Sequence, residues 1–189
     1  MLKKRDLNDC HVLFNLMAHP EVFPFVRQKT ECLEEFMFLT KQTIEEEERG
    51  ETISRTILDE WYNPIGAISL YDIQDGCGFL GTWIGQPYFG KGYNKVAKEH
   101  FFSELFYEHN INTVFMRIRK SNPRSQKAAE KIPYVTLANE SRPDIYQQLN
   151  RDGDVYNLYH IEKDNYMLHQ LRTQHQQLEV FDDNQLKEA

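Results

Sequence analysis

Gly85-Gln86-Pro87-Tyr88-Phe89-Gly90-Lys91-Gly92-Tyr93 joins a strand-like run, Leu80-Gly81-Thr82-Trp83-Ile84, to a segment where Val96, Ala97, Phe101, Leu105 and Phe106 recur at the spacing of one helical face. The paired glycines therefore open a long helix. Free backbone N–H groups and the positive end of the macrodipole attract anions there, and residues without a Cβ let a diphosphate come close to the main chain. A pyrophosphate-bearing cofactor is the natural occupant of such a turn.

Upstream, residues 52–58, 65–71 and 79–84 read as strands, with Asn63-Pro64 and Asp75-Gly76 as the turns of an antiparallel meander. Before them, 7–17 reads as a helix with Val12, Leu13, Leu16 and Met17 inward, capped by Asn8 or Asp9 and ended by His19-Pro20. A second helix over 33–49 turns Phe36, Leu39, Thr40, Thr43 and Ile44 inward and stops at Gly50, and its Glu45-Glu46-Glu47-Glu48 run reads as a solvated face. Downstream, the helix over 92–109 ends at Asn110 as a left-handed cap. Val114, Met116 and Ile118 then alternate inward along a strand. Asn122 is placed as an N-cap with Pro123 at the first helical position, and 134–137 and 155–161 finish the sheet.

This order predicts a mixed α/β (α+β) single domain over 1–162, with a central, mostly antiparallel sheet flanked by helices. Residues 163–189 form an appended helical tail. Its Leu168, Leu171 and Leu178 lie on one side, so the tail docks on the domain or on a second copy of the chain, as in a homodimer.

With 189 residues, 40% of them hydrophobic, the chain can bury one substantial core. A formal net charge of −7 argues against a nucleic-acid or anionic-membrane surface, which needs a basic footprint. Cys10, Cys32 and Cys77 make neither an even disulfide set nor a C-x-x-C pair, and the start of the chain has no apolar signal region, which together predict a cytoplasmic protein. Without a secretory signal, the sequon Asn139-Glu140-Ser141 is chance.

Gly76-Cys77-Gly78-Phe79-Leu80-Gly81 satisfies G-x-G-x-x-G, with Glu99 downstream. Those glycines, however, enter a strand that runs on through Trp83, whereas a dinucleotide fingerprint ends a strand and opens a helix. Gly90-Lys91-Gly92 lacks the spacing and the Ser or Thr of a Walker A loop. The seven histidines are scattered and form no H-E-x-x-H, so no metal site is expected, and no G-x-S-x-G elbow exists.

The succession Trp83-Ile84-Gly85, then Tyr88-Phe89-Gly90-Lys91-Gly92-Tyr93, then a strand, then Asn122-Pro123-Arg124-Ser125 with Glu130-Lys131 and Tyr134 resembles the GNAT acyltransferases. Within them it is most similar to the ribosomal-protein N-terminal acetyltransferase-like branch. The resemblance covers 7–161 and rests on order and spacing together. It implies a sheet splayed between two strands where acetyl-CoA lies, and direct acyl transfer to an amine without a metal. It also implies that Trp83, Ile84 and Gly85 pair with the pantetheine arm. The amides of Phe89, Gly90, Lys91, Gly92, Tyr93 and Asn94 would hold the pyrophosphate, Asn122 and Ser125 would line the thiol end, and Lys131 would approach the adenosine phosphates.

The chain departs from the family pattern at several positions. Pro87 stands where Arg or Gln is frequent, Ala129 replaces the tyrosine many members use as general acid, Pro133 replaces a glycine, and Phe79 occupies a position where an acid is common. An attacking amine must be neutral, which an α-amino group with pKa near 8 partly is at pH 7 and a lysine near 10.4 is not. A backbone N–H near Ile84 is the expected oxyanion donor, Ser125 the proton donor to the thiolate, and Asp72 the base. Two classes stay open: an acetyl-CoA-dependent N-acetyltransferase acting on a small amine, polyamine, antibiotic or protein N-terminus, or a non-catalytic CoA-binding or interaction protein of the same fold.

Overall fold

The computed structural model describes residues 1–185, and side chains over 1–176. The chain divides into two compact units, Met1–Val114 and a second beginning at Phe115.

In the first unit, β1 (Leu2–Lys4) is followed by α1 (Cys10–Met17), α2 (Leu33–Glu48), β2 (Ile53–Leu58), β3 (Pro64–Gln74), β4 (Cys77–Ile84) and α3 (Tyr93–Tyr107). The strands lie in the order β1-β2-β3-β4, each antiparallel to its neighbour, so the meander expected from the turn signals is present. β1 was not anticipated. Two of its three residues are lysines, and it is a strand because Leu2 and Lys4 register with Ile57 and Arg55 on β2.

One side of the sheet carries the cluster Cys10, Leu13, Met17, Val22, Val26 and Phe36, with Trp83 and Phe89 packed against it. α3 packs on β1, β3 and β4 and buries Ala97, Phe101, Phe102, Leu105 and Phe106. Val12 and Val96, expected inward, are 44% and 46% exposed. The buried stripes run Cys10-Leu13-Met17 and Ala97-Phe101-Leu105, and each valine falls one step round its helix from them.

Gly50 (φ 75°) stops α2 as expected. The glutamate run that ends α2 is more than a solvated face. Glu47 Oε1 accepts from Arg55 Nη1 at 2.7 Å and its Oε2 from the Ser54 amide at 3.2 Å. Arg55, 5% exposed, also donates to Glu104 of α3, so one buried guanidinium ties β2 to two helices.

The second unit contains most of β5 (Thr113–Arg119), then α4 (Pro123–Glu130), β6 (Thr136–Leu137), α5 (Pro143–Leu149), β7 (Tyr156–Glu162) and α6 (Lys163–Gln185), with strands ordered β5-β7-β6. Asn122 caps α4 as expected, its Oδ1 accepting from the Ser125 amide at 3.1 Å. α6 is held differently from the expectation. Tyr166, 2% exposed, meets the Tyr134 ring edge-on at 5.1 Å, with His169 at 5.3 Å, whereas Leu168 and Leu171 are 47% and 58% exposed. The side chain of Leu178 lies outside the described residues.

Candidate functional site: the turn before α3

β4 ends in a turn built for close backbone approach. Gly85 is buried against α1, and a Cβ there would sit 2.8 Å from Leu16 Cδ2. A 3-10 turn over Gln86–Tyr88 follows, closed by Tyr88 N–H to Gly85 O at 3.0 Å and Phe89 N–H to Gln86 O at 3.1 Å. The Phe89 side chain anchors the turn in the α1–α2 cluster. Gly90 and Gly92 then take φ of 73° and 86°, conformations open to glycine, and a Cβ at either would meet nothing within 4 Å. The chain enters α3 beside open space.

Gly92 occupies the N-cap without a side-chain cap, and its carbonyl accepts the Lys95 and Val96 amides. Among the described residues, the N–H groups of Gly90, Lys91, Gly92, Tyr93 and Asn94 have no hydrogen-bond partner. Five donors at a helix N-terminus beside open space fit a diphosphate. Phe89 leaves the expected set, because its amide is already engaged by Gln86.

The β3–β4 ladder sorts the three strand residues. Gly85 N–H donates to Ile65 O at 2.8 Å and Ala67 registers with Trp83, so the backbone groups of Trp83 and Gly85 turn toward β3. Ile84, opposite Gly66, therefore turns its N–H and C=O to the other edge of β4. Of the three, Ile84 is the one whose backbone groups face that edge.

The rim is aromatic and charged. Tyr93 and Tyr88 meet edge-on at 5.9 Å, and the Lys91 ammonium lies over the Tyr88 ring at 5.6 Å. Tyr93 donates its phenolic proton to Glu60 in the β2–β3 connection. That bond pushes the phenol up to about 12 and the Glu60 carboxyl below its ordinary range. Sequence reasoning missed Glu60, since nothing local links it to a residue 33 positions later.

Asp72 is placed elsewhere. It sits in a bulge of β3 at φ 55°, just past Tyr71, which registers with Phe79. Phe79 is five residues from Ile84 along β4, about 17 Å at the rise of a strand. The structure thus does not bring Asp72 to the backbone donor of Ile84. Its two oxygens accept from Arg27 Nη2 at 3.0 and 2.8 Å, and Arg27 also stacks on Tyr71 at 4.3 Å. Gly81 leaves room for that ring, for a Cβ there would lie 2.9 Å from Tyr71 Cε2.

In the second unit, Asn122 and Ser125 share the first turn of α4 and Lys131 caps its exposed end. Ser125 is partly exposed and keeps its hydroxyl, whereas Asn122 Oδ1 is engaged in capping. Ala129 is 1% exposed, so the position lacking the expected tyrosine is enclosed. Among the described residues, no group of three or more His, Cys, Asp or Glu gathers as metal ligands, and no helix is long and apolar enough to cross a membrane.

The model of the acetyltransferase (GNAT) domain matches residues 1–134, from β1 through the turn and α3 into α4 and on to Tyr134. The chain belongs to the GNAT acetyltransferase family. GNAT structures resemble it at low identity. A spermidine N-acetyltransferase, SpeG, from Vibrio cholerae in complex with CoA and spermine is 14% identical, with a TM-score of 0.70 over 88% of this chain and 97% of that one. RimL, a ribosomal L7/L12 α-N-protein acetyltransferase, is 18% identical, with a TM-score of 0.70 over 85% and 88%. FdhC, a nucleotide-linked sugar GNAT, is 16% identical, with a TM-score of 0.73 over 91% of each chain. These likenesses establish the GNAT fold. Compared by sequence with curated proteins, the chain matches none.

Proposed function

We propose that the chain moves an acetyl group from acetyl-CoA to a primary amine of a small molecule, polyamine, antibiotic or protein N-terminus. The observation that carries this reading is the turn before α3, where two left-handed glycines and five unpartnered amides border open space. When bound, acetyl-CoA supplies the acetyl group already activated as a thioester. The amides of Gly90 to Asn94 hold its phosphates, helped by Lys91, and Lys131 serves the adenosine end. Trp83 and Gly85 shape the end of β4, and the Ile84 N–H is the donor for a carbonyl oxygen that gains charge. Asn122 and Ser125 serve the thiol end, with the Ser125 hydroxyl as proton donor to the leaving sulfur.

Asp72 takes a positioning role in this reading. Its carboxylate pins Arg27, and through it the α1–α2 connection, to β3. Deprotonation of the acceptor then falls to its own equilibrium and to water, which favours an α-amino group or another amine of pKa near 8 over an ordinary lysine. Polyamine and peptide acceptors are the first to try, because the similar structures include a spermidine and a protein α-N-acetyltransferase. The core is read as 1–162 with 163–189 appended, in a cytoplasmic protein.

A second reading, a CoA-binding protein without turnover, is favoured by the enclosed Ala129 and by Phe79 at the positions where proton-handling groups are expected. Incubation with acetyl-CoA and a panel of amines separates the two. Amine-dependent release of CoA thiol supports transfer, whereas tight acetyl-CoA binding with no release across the panel supports the second reading.

A further inference from the structure

Consecutive side chains of a strand point to opposite faces, yet Tyr71 and Asp72 of β3 meet the same group. Arg27 lies over the Tyr71 ring at 4.3 Å, and both oxygens of Asp72 accept from its Nη2, at 3.0 and 2.8 Å. The backbone makes this possible. Asp72 is left-handed (φ 55°), and the register with β4 slips between Tyr71 and Gln74, so the bulge brings the carboxylate to the guanidinium that already covers the ring. A left-handed residue with a Cβ is strained, and such strain gathers at ligand clamps. Gly81 on β4 gives the ring its place, since a Cβ there would lie 2.9 Å from Tyr71 Cε2.

An aromatic face beside a carboxylate is the chemistry that recognises an ammonium or a guanidinium. The cation in place is the protein's own, carried by the connection between α1 and α2. It is held loosely. The Arg27 and Asp72 side chains are 31% and 58% exposed, and an ion pair open to water adds little stability. A cation from outside can therefore compete for the same ring and carboxylate.

Resting on the acetyl-transfer reading above, we propose that Tyr71 and Asp72 form a cation subsite for the far end of the acceptor, which Arg27 occupies until an acceptor displaces it. Arg27 is then a gate on acceptor binding. Its release frees the ring and the carboxylate together, and it also frees the α1–α2 connection that the pair ties to β3.

The place of the subsite sets the shape of the acceptor. Tyr71 registers with Phe79, about 17 Å along β4 from Ile84, whose N–H is the donor in the transfer reading. A molecule that reaches both is linear and extended, roughly a dozen bonds of chain once a contact at each end is allowed for. It carries its second positive charge at the end away from the reacting nitrogen. A long linear polyamine has this form, and an amine with a single charge does not.

The experiment is calorimetric titration of the full chain with spermine at fixed ionic strength. It is run on the wild type, on Arg27→Ala, and on Arg27→Ala combined with Asp72→Asn, with Tyr71→Leu or with Tyr71→Phe. Arg27→Gln, which keeps most of the stem, serves as a second form of the single variant. The expected result is spermine binding about tenfold tighter in Arg27→Ala and Arg27→Gln than in the wild type, because the subsite no longer has to release its own cation. Asp72→Asn and Tyr71→Leu should each abolish that gain, and Tyr71→Phe, which keeps the ring, should preserve it. In thiol-release assays the KM for spermine should fall about tenfold in Arg27→Ala at unchanged kcat, whereas the KM for butylamine should not move. Equal spermine affinity in wild type and Arg27→Ala means that Arg27 only pins the loop, and the proposal is wrong. A gain that survives Asp72→Asn places the spermine elsewhere and overturns it as well. A gain that Asp72→Asn removes, with no thiol release from any amine, establishes the cation subsite and overturns the transfer reading.

Discussion

Gly92→Glu isolates the turn that carries the functional argument. Gly92 has φ 86° and ψ −7°, and an added Cβ meets nothing within 4 Å, so the folded protein feels backbone strain and no clash. A left-handed conformation costs a residue with a Cβ about 1–2 kcal/mol. In a chain of this size that lowers the melting temperature by about 2–8 °C. The variant therefore folds. Its carboxylate, however, faces the donors that the diphosphate needs, so the charge-assisted bonds, about 1.5–3 kcal/mol each, give way to repulsion.

The assay is thermal unfolding with and without acetyl-CoA. At about a hundred times its dissociation constant the ligand stabilises the wild type by about 2.7 kcal/mol, a rise of about 5–11 °C. Gly92→Glu should show no rise. Gly92→Ala carries the same strain without the charge, so it should lose the same stability and keep part of the ligand response. A glutamate variant that responds fully to acetyl-CoA would refute the placement of the pyrophosphate at this turn.

Glu104→Gln takes from the buried Arg55 one of its two carboxylate partners, leaving Glu47, and should cost about 3 kcal/mol in urea unfolding; a change below 1 kcal/mol would mean that the network adds little. Asp72→Asn should leave kcat unchanged and lower stability by less than about 1 kcal/mol, since it breaks an exposed ion pair; a hundredfold loss of kcat would restore the base role that its distance from Ile84 argues against. Tyr166→Ala should cost about 3 kcal/mol because α6 is held by that ring, whereas Leu171→Glu should leave the melting temperature unchanged. A change in sedimentation of Leu171→Glu would show that its exposed face of α6 joins two copies of the chain.

Features announced by local chemistry were legible in the sequence. The stop at Gly50, the caps at Asn110 and Asn122, and the turns at Asn63-Pro64 and Asp75-Gly76 each depend on one or two residues and their own backbone. What escaped depends on partners far along the chain. Lys3 and Lys4 are strand residues only through β2, and the glutamate run reads as surface until Arg55 reaches Glu47. The short α5 carried too weak a pattern to stand out.

The candidate site divides the same way. Gly90 and Gly92 could be read because glycine announces a left-handed backbone. The amide of Phe89 and the backbone directions of Trp83 and Gly85 follow from hydrogen bonds that composition does not encode. Asp72 resembled a base because a turn carboxylate follows a strand, and only the register with β4 sets it far from Ile84.

The central claim is that the chain transfers acetyl groups, and its most direct measurement is release of CoA thiol from acetyl-CoA, followed together with the mass of the amine. With spermidine or a peptide bearing a free N-terminus, the account predicts amine-dependent thiol release and an acceptor heavier by one acetyl group per thiol. Both signals should vanish in Gly92→Glu. Saturable binding of acetyl-CoA with no acceptor ever gaining an acetyl group would contradict transfer and leave a CoA-binding protein on a GNAT fold.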